Sequence, residues 1–422
     1  MNMFSNKRRA RAGLAVVLFA ALFGAAALSP LRADTWRGLE LKQRIEGAAW
    51  RLGPLRIAPS LVVRNAGFDS NVLNSPDNPI RDFTVTAGPA ATVFVPVLPR
   101  FILSLTGSPQ YLWFNKTKRE RAWNFYFTGA AQLNLRNIFF SLDGEYSDAR
   151  ERWNTEIDIR PRRKGLGYGS SVLVALGYRT SFGVGYRTVK YDYESLEIEG
   201  FDVRERLNRR ESYGNVSIFY QLGTARRAYI NFEYGDYKFE FAERAALQNS
   251  RSYGLYGGLE FIQPGRRLQG HVRLGYKKFD VLAQEGLDFR GFVGDTALRF
   301  RVARPLVLRA SYIRDVVFSL WFGNPFFVES RPGVGVSLYT PLSFIRLDYD
   351  FALGRNRYFV PGGGEPGVTR LDDYTMHTAG IYFRIRRDTA LGFITSWWAR
   401  NSNLPGEDDK RTFFGLNLTY EF

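Results

Sequence analysis

From about Leu55 to its last residue the chain alternates apolar and polar positions with a period of two. Phe125, Phe127, Gly129, Ala131, Leu133 and Leu135 occupy one face, and Asn124, Tyr126, Thr128, Ala130, Gln132 and Asn134 the other. Ile345, Leu347, Tyr349, Phe351 and Leu353 alternate with Arg346, Asp348, Asp350 and Ala352, and Leu298, Phe300 and Val302 with Arg299 and Arg301. Period two marks a strand whose two faces meet different surroundings. A soluble sandwich shares it, so further features must decide. The alternating segments run to about 10–14 residues, enough to cross a bilayer at a tilt. The links between them alternate in length. Short turns fall near 96–100, 136–138, 177, 223–224, 263–266, 303–305, 340–341 and 386–388. Longer polar links fall at 115–121, 152–163, 195–206, 243–250, 283–286, 320–324, 360–371 and 403–410. No strand region holds a long apolar run suited to burial on both faces. The pattern predicts an all-β fold: a transmembrane antiparallel up-and-down β-barrel of about 18 strands, with 16 as the alternative. The short turns are expected in the periplasm and the longer loops outside the cell. An even strand count leaves both chain ends on the periplasmic side.

The amino terminus follows a different pattern. Lys7, Arg8, Arg9 and Arg11 precede an apolar run from Leu14 to Leu28, too short to span a membrane comfortably and ending in small residues. That is the form of a secretory signal peptide, with cleavage expected after Ala33 and, as the alternative, after Ala27. Residues 34–53 place Trp36, Leu39, Ile45, Ala48 and Ala49 roughly on one helical face, which suits a short periplasmic or lumen-plugging helix, or a loosely ordered leader. The expected division is a signal peptide (1–33), a leader (34–53) and a barrel (54–422).

At the other end Phe414, Leu416, Leu418, Tyr420 and Phe422 share a face opposite Gly415, Asn417, Thr419 and Glu421. This resembles the assembly signal of outer-membrane barrels, which implies recognition by the barrel-assembly machinery and a place in the cell outer membrane, with its lipid as surroundings.

Composition narrows the picture. Aromatics make up 16% of the chain, including 35 Phe and 23 Tyr, as strands with interfacial aromatic girdles require. Hydrophobic residues reach 45%, yet mean hydropathy is −0.24, so apolar residues are interleaved rather than gathered into helical spans. The absence of cysteine excludes disulfides, thiol catalysis and cysteine metal sites. The formal charge of +17 would suggest nucleic acid, but the five basic residues of the first 33 account for part of it, leaving +12. The remainder is scattered among strands and turns, so no nucleic-acid partner is expected.

Little in the sequence suggests catalysis, and no enzyme activity, cofactor or metal is expected. His271 shares the polar face of Arg267, Gln269, Arg273 and Lys277, in positive surroundings, and His377 shares the apolar face of Ala379, Ile381 and Phe383. Neither has an assignable Ser or Asp partner. Gly362-Gly363-Gly364 lacks the strand-to-helix context of a phosphate cradle and reads as an outer loop. The inward face is more informative. Projection places Arg179, Arg187, Arg273, Arg299, Arg301, Arg309, Arg346 and Arg384 in the lumen, against Asp143, Glu145, Glu233, Glu260, Asp348 and Asp350. This suits either a track for anionic solutes or acidic polymer, or cross-strand ion pairs that stiffen the wall.

Near the start of the barrel, Gly67-Phe68-Asp69-Ser70-Asn71-Val72 is followed by a polar loop and a strand from Phe83 to Val95. This resembles the β-barrel porin-2 family, whose members often accompany exopolysaccharide systems. The resemblance implies an outer-membrane protein serving polysaccharide export and supplies no catalytic residues. The leading expectation is a porin-like channel, for exopolysaccharide export or passage of anionic solutes. The alternatives are a structural or surface-interaction barrel with a closed lumen and, third, a lipid-modifying enzyme.

Overall fold

The computed structural model describes residues 36–73, 78–150, 156, 160–198, 201–262, 266–282, 286–320, 324–342, 344–361, 368–386 and 388–421. The signal peptide, Gly362-Gly363-Gly364, Phe422 and the side chains of Trp36 and Leu39 lie outside the described residues.

Eighteen long strands follow one another around the wall: β1 (Leu55–Asp69), β2 (Asp82–Leu98), β3 (Phe101–Phe114), β4 (Ala122–Asn134), β5 (Ile138–Arg150), β6 (Arg162–Ala175), β7 (Thr180–Tyr193), β8 (Arg209–Gly223) and β9 (Arg226–Phe239). The second half holds β10 (Ser250–Phe261), β11 (Leu268–Val281), β12 (Phe289–Arg301), β13 (Leu306–Phe318), β14 (Phe326–Tyr339), β15 (Ile345–Pro361), β16 (Thr369–Arg384), β17 (Thr389–Ser402) and β18 (Asp409–Glu421). Each pairs antiparallel with its neighbours, and β1 pairs with β18, so the sheet closes without an edge. Closure is what allows strands to sit in lipid, because it gives the backbone N–H and C=O groups of the first and last strands a partner in place of an open edge. A short strand, Trp50–Leu52, pairs back on the start of β1. The turns on the side of the chain ends are two to six residues long, and all the opposite links are six or longer. The 18-strand reading and the alternation of loop lengths therefore hold.

Register sorts the side chains. Leu61, Leu105, Phe127, Leu142, Leu166, Val216, Ile230, Leu255, Leu274, Phe292, Leu308, Val334, Leu353 and Phe393 all project outward and are exposed, as lipid contact requires. Near the outer end of β1–β4 the outward rings touch in a chain. Phe68–Phe83 and Tyr111–Trp123 have centroids 5.1 Å apart, and Phe83–Trp113 lies between them at 6.0 Å. This is the aromatic girdle at the outer interface.

A bulge near the middle of β1 interrupts its alternation. In β1 an extra residue bulges between Val63 and Ala66, with Asn65 at a left-handed φ of 53°. The bulge resets the phase, so Phe68 points to lipid and Asp69 points inward.

Among the described residues, three α-helices accompany the strands. α1 (Trp36–Glu46) precedes the barrel, and α2 (Val203–Leu207) and α3 (Ala242–Gln248) lie in outer loops.

Candidate functional site

The inward face gathers polar side chains inside the closed wall, and the candidate site is built there. Its charges are mostly paired across strands. Arg187 meets Glu145 at 2.5 Å and Lys277 meets Asp315 at 2.7 Å across strands, while Arg346 meets Asp348 of its own strand at 3.0 Å. Arg273 bonds Glu233 at 3.0 Å and lies over the Tyr256 ring, 3.8 Å from its centroid. Arg309 reaches both oxygens of Asp350, at 3.0 and 2.9 Å, and Arg227 grips Glu260. Where they face water, such pairs contribute about 0.2–1 kcal/mol each. Their main effect is to fix the direction of the guanidinium groups.

Arg299, Arg301 and Arg384 differ. All three are exposed, and among the described residues no carboxylate contacts them. Arg299 donates only to the Tyr339 hydroxyl, at 3.1 Å. Around Arg299 and Arg309 the inward wall is made of small residues: Ala297, Ser311, Gly333, Gly335 and Ala352. A recess of about 460 Å³ results, bordered also by Gln269, Asp350, Met376 and Thr378.

The opposite wall is covered. α1 lies against it, with Leu41, Ile45 and the following Ala48 packed on Phe94 of β2, Ile102 of β3, Phe139 of β5, Leu173 of β6 and Phe219 of β8. All five are inward residues on the turn side of the barrel. The sequence spacing placed Ala49 on this face, but Ala49 is exposed and Leu41, at 3% exposure, takes the central position. Gly38 lets the helix backbone close on the Asn134 side chain, where a Cβ would collide. Arg37 reaches across to the Ser171 hydroxyl at 2.8 Å.

A second obstruction lies toward the outer mouth. β12 and β13 pair only from Gly294/Arg314 downward, whereas β13 and β14 stay paired to Phe318/Phe326. Freed from β12, the upper hairpin bends into the lumen. Its formerly outward residues Phe318, Phe326 and Val328 then pack on the inward residues Tyr237, Phe239, Tyr256, Phe279, Phe289 and Val293 of β9–β12. Gly354 of β15 leaves room for the Tyr374 ring, whose hydroxyl bonds Glu329 on the other face of the hairpin.

Outer loops converge above it. Glu156 accepts from Ser319 Oγ and, at 2.8 Å, from Leu320 N, and Arg400 donates to its carbonyl at 3.1 Å. Leu320 packs on Tyr193, Val203 and Leu207, and Arg206 donates to its carbonyl. Burial drives the Arg206 guanidinium down to about 10, with Arg244 adding to the effect. Asp202 caps α2 by accepting from Arg204 N at 2.9 Å. Burial pushes its carboxyl up, but hydrogen bonds from Ser195, Arg204 N and Leu196 N outweigh that and hold it below the usual aspartate range.

Among the residues singled out from sequence, Arg187, Arg273, Arg299, Arg301, Arg309, Arg346 and Arg384 occupy inward strand positions. Arg179 does not: β7 begins at Thr180, and Arg179 sits exposed in the preceding turn. The projection misassigned it because that strand starts one residue later than the alternation suggested. Phe414, Leu416, Leu418 and Tyr420 share the lipid-facing side of β18. His377 faces lipid, with Nδ1 2.8 Å from the Tyr349 hydroxyl. His271 faces the lumen, but its nearest charged neighbour is acidic: Nε2 lies 2.9 Å from Asp295. Cross-strand neighbours override the same-strand charges seen in sequence. The Gly67–Val72 segment works at the closing seam. Asp69 holds Arg411 of β18 by two oxygens, Asn71 reaches Asp409, and Ser70 exchanges hydrogen bonds with Thr412.

No family model and no curated protein matches the chain. Solved structures do. The chain is similar to Pseudomonas aeruginosa OpdO at 13% identity and TM-score 0.50, over 87% of this chain and 97% of that one. It is similar to P. aeruginosa OpdK with vanillate at 11% identity and TM-score 0.50, over 87% and 98%. Acinetobacter baumannii OccAB3 aligns at 12% identity and TM-score 0.49, over 87% and 99%. At such identities the likeness concerns the fold alone: a closed antiparallel β-barrel with an apolar outer band.

Proposed function

We propose that the barrel is a selective, porin-like channel for small anionic solutes. The passage runs along the β11–β16 side of the lumen, past the face left open by α1. The observation that carries this reading is the recess at Arg299 and Arg309. It is an inward stretch where small residues leave space, and it presents one guanidinium with no carboxylate partner among the described residues beside another held in place by Asp350. Fixed, water-facing guanidinium groups in a low-dielectric wall raise the local concentration of anions. OpdK, whose structure contains vanillate, offers a parallel for a small carboxylate in a barrel of this fold. The finer reading, export of an acidic exopolysaccharide, rests on the Gly67–Val72 resemblance. It asks more of the molecule, because a sugar chain could thread the lumen only after α1 and the inward hairpin give way.

Proteoliposome swelling tests the proposal. The native barrel should admit gluconate at least about threefold faster than an organic cation of similar size, and Arg299→Glu should reverse that order. Equal rates, unchanged by the substitution, would remove the anion-selective reading.

A further inference from the structure

The two rims of the barrel carry opposite charge. The eight short turns contain eight arginines, no lysine and one acid, Asp388, for a net charge of +7. The nine outer links contain ten basic and seventeen acidic residues, for a net charge of −7. The positive rim is distributed rather than local. Arg100, Arg136, Arg179, Arg267, Arg304 and Arg386 stand exposed in six different turns, and Arg226 adjoins a seventh. Among the described residues no carboxylate contacts Arg100, Arg136, Arg179, Arg304 or Arg386. The same rim exposes bulky apolar side chains: Leu98, Leu176, Tyr178, Leu342, Phe344 and Ile385, with Tyr178 at 79%.

We propose that this rim binds the phosphates of anionic phospholipid headgroups in the periplasmic leaflet, as a ring of sites around the whole circumference. Three observations select lipid over a protein partner. A docked protein would cover one sector of a rim, whereas headgroups surround it, and the arginines are spaced around nearly the whole circle. Apolar side chains in the same turns match an interface that is hydrocarbon on one side and charged on the other, which a soluble acidic partner would not require. The exclusive use of arginine fits phosphate, since its planar fork engages two phosphate oxygens where lysine offers a point charge. The inference goes beyond the channel reading and is independent of it, because the turns lie outside the recess.

Quenching of tryptophan fluorescence by brominated lipids tests it on the full mature barrel, with Trp50 near this rim as one reporter. Brominated phosphatidylglycerol should associate at least about threefold more strongly than brominated phosphatidylcholine. Higher salt should reduce the ratio. The combined variant R100Q/R136Q/R179Q/R304Q/R386Q should bring the ratio to about one, and the matching lysine variant should fall between the two. Heat-modifiable mobility on a gel establishes that each variant is folded, and the salt series on the native barrel provides a test free of substitution. A native ratio of one, or a ratio the glutamine variant leaves unchanged, overturns the proposal. A native ratio of one with retention of polygalacturonate that the glutamine variant loses would also overturn it, assigning the rim to an acidic polymer.

Discussion

If α1 obstructs the passage, weakening its contact with the wall should open the channel by an amount the packing allows one to work out. The helix is held by buried Leu41, half-buried Ile45 and buried Ala48, by the hydrogen bond from Arg37 to Ser171 and by the Arg44 guanidinium over the Phe94 ring, among other contacts. At ordinary values for apolar burial, and after the cost of ordering the segment, docking is worth roughly 4 kcal/mol. That leaves the helix undocked about 0.1% of the time. Leu41→Ala removes the central side chain from a pocket lined by Phe94, Ile102, Phe139 and Leu173, a loss of about 3 kcal/mol. About 1 kcal/mol then remains, and the undocked fraction rises to about 15%. The assay is single-channel recording in a planar bilayer. The native protein should hold one low conductance level, and Leu41→Ala should add repeated excursions to a higher one. Deletion of residues 36–46 should give the higher level permanently. The β-ladders do not include α1, so the temperature of barrel unfolding should stay within a few degrees. If both the substitution and the deletion leave the conductance unchanged, α1 does not obstruct the passage and the reasoning fails.

Further predictions concern the seam, the mouth and assembly. Arg411→Ala would leave the buried Asp69 carboxylate without its partner across the β1–β18 seam, costing about 3 kcal/mol and lowering the temperature at which the heat-modifiable band converts. Arg411→Lys should recover only part, because the two-point grip is lost. Asp202 should make the outer loops acid-sensitive. Its folded carboxyl is held below the usual value of 3.8, so its stabilising contribution is full above that value and is lost as pH falls below it. Hydrogen exchange of α2 should rise in that range and in Asp202→Asn at neutral pH, and an unchanged protection pattern would remove the capping account. Leu416→Asp places a carboxylate on the lipid face of β18, at a cost of up to about 2–3 kcal/mol. It should reduce the amount of assembled barrel in outer-membrane fractions more than Asn417→Asp on the opposite face, and equal yields would argue against side-specific reading of the last strand.

The wall was legible in the sequence because lipid imposes a period-two rule along most of each crossing strand. Alternation located the strands, and turn chemistry separated short links from long ones. The contents of the lumen were much less legible. The spacing over residues 34–53 suited a helix and a loosely ordered leader equally, and it omitted Leu41, whose burial depends on strands that are distant in sequence. The inward bend of β13–β14 left almost no local trace. Phe318, Phe326 and Val328 carry lipid-face phase, and only the premature end of the β12–β13 ladder turns that face onto the inner wall. Charge behaved similarly. Single strands revealed arginines, but their pairing with Glu145, Glu233 and Asp350 is fixed by cross-strand register, as is the placement of Asp295 beside His271. The bulge at Asn65 was another strand irregularity that sequence reasoning needed and lacked, since without it Asp69 would point to lipid.

The most direct test of the central claim is the reversal potential of the purified native barrel in a planar bilayer under a potassium chloride gradient. A narrowed passage with Arg299 on its wall predicts small, stable unitary currents and a reversal potential of the sign set by chloride. A potential of the sign set by potassium, or no stable current once α1 has also been deleted, would contradict it.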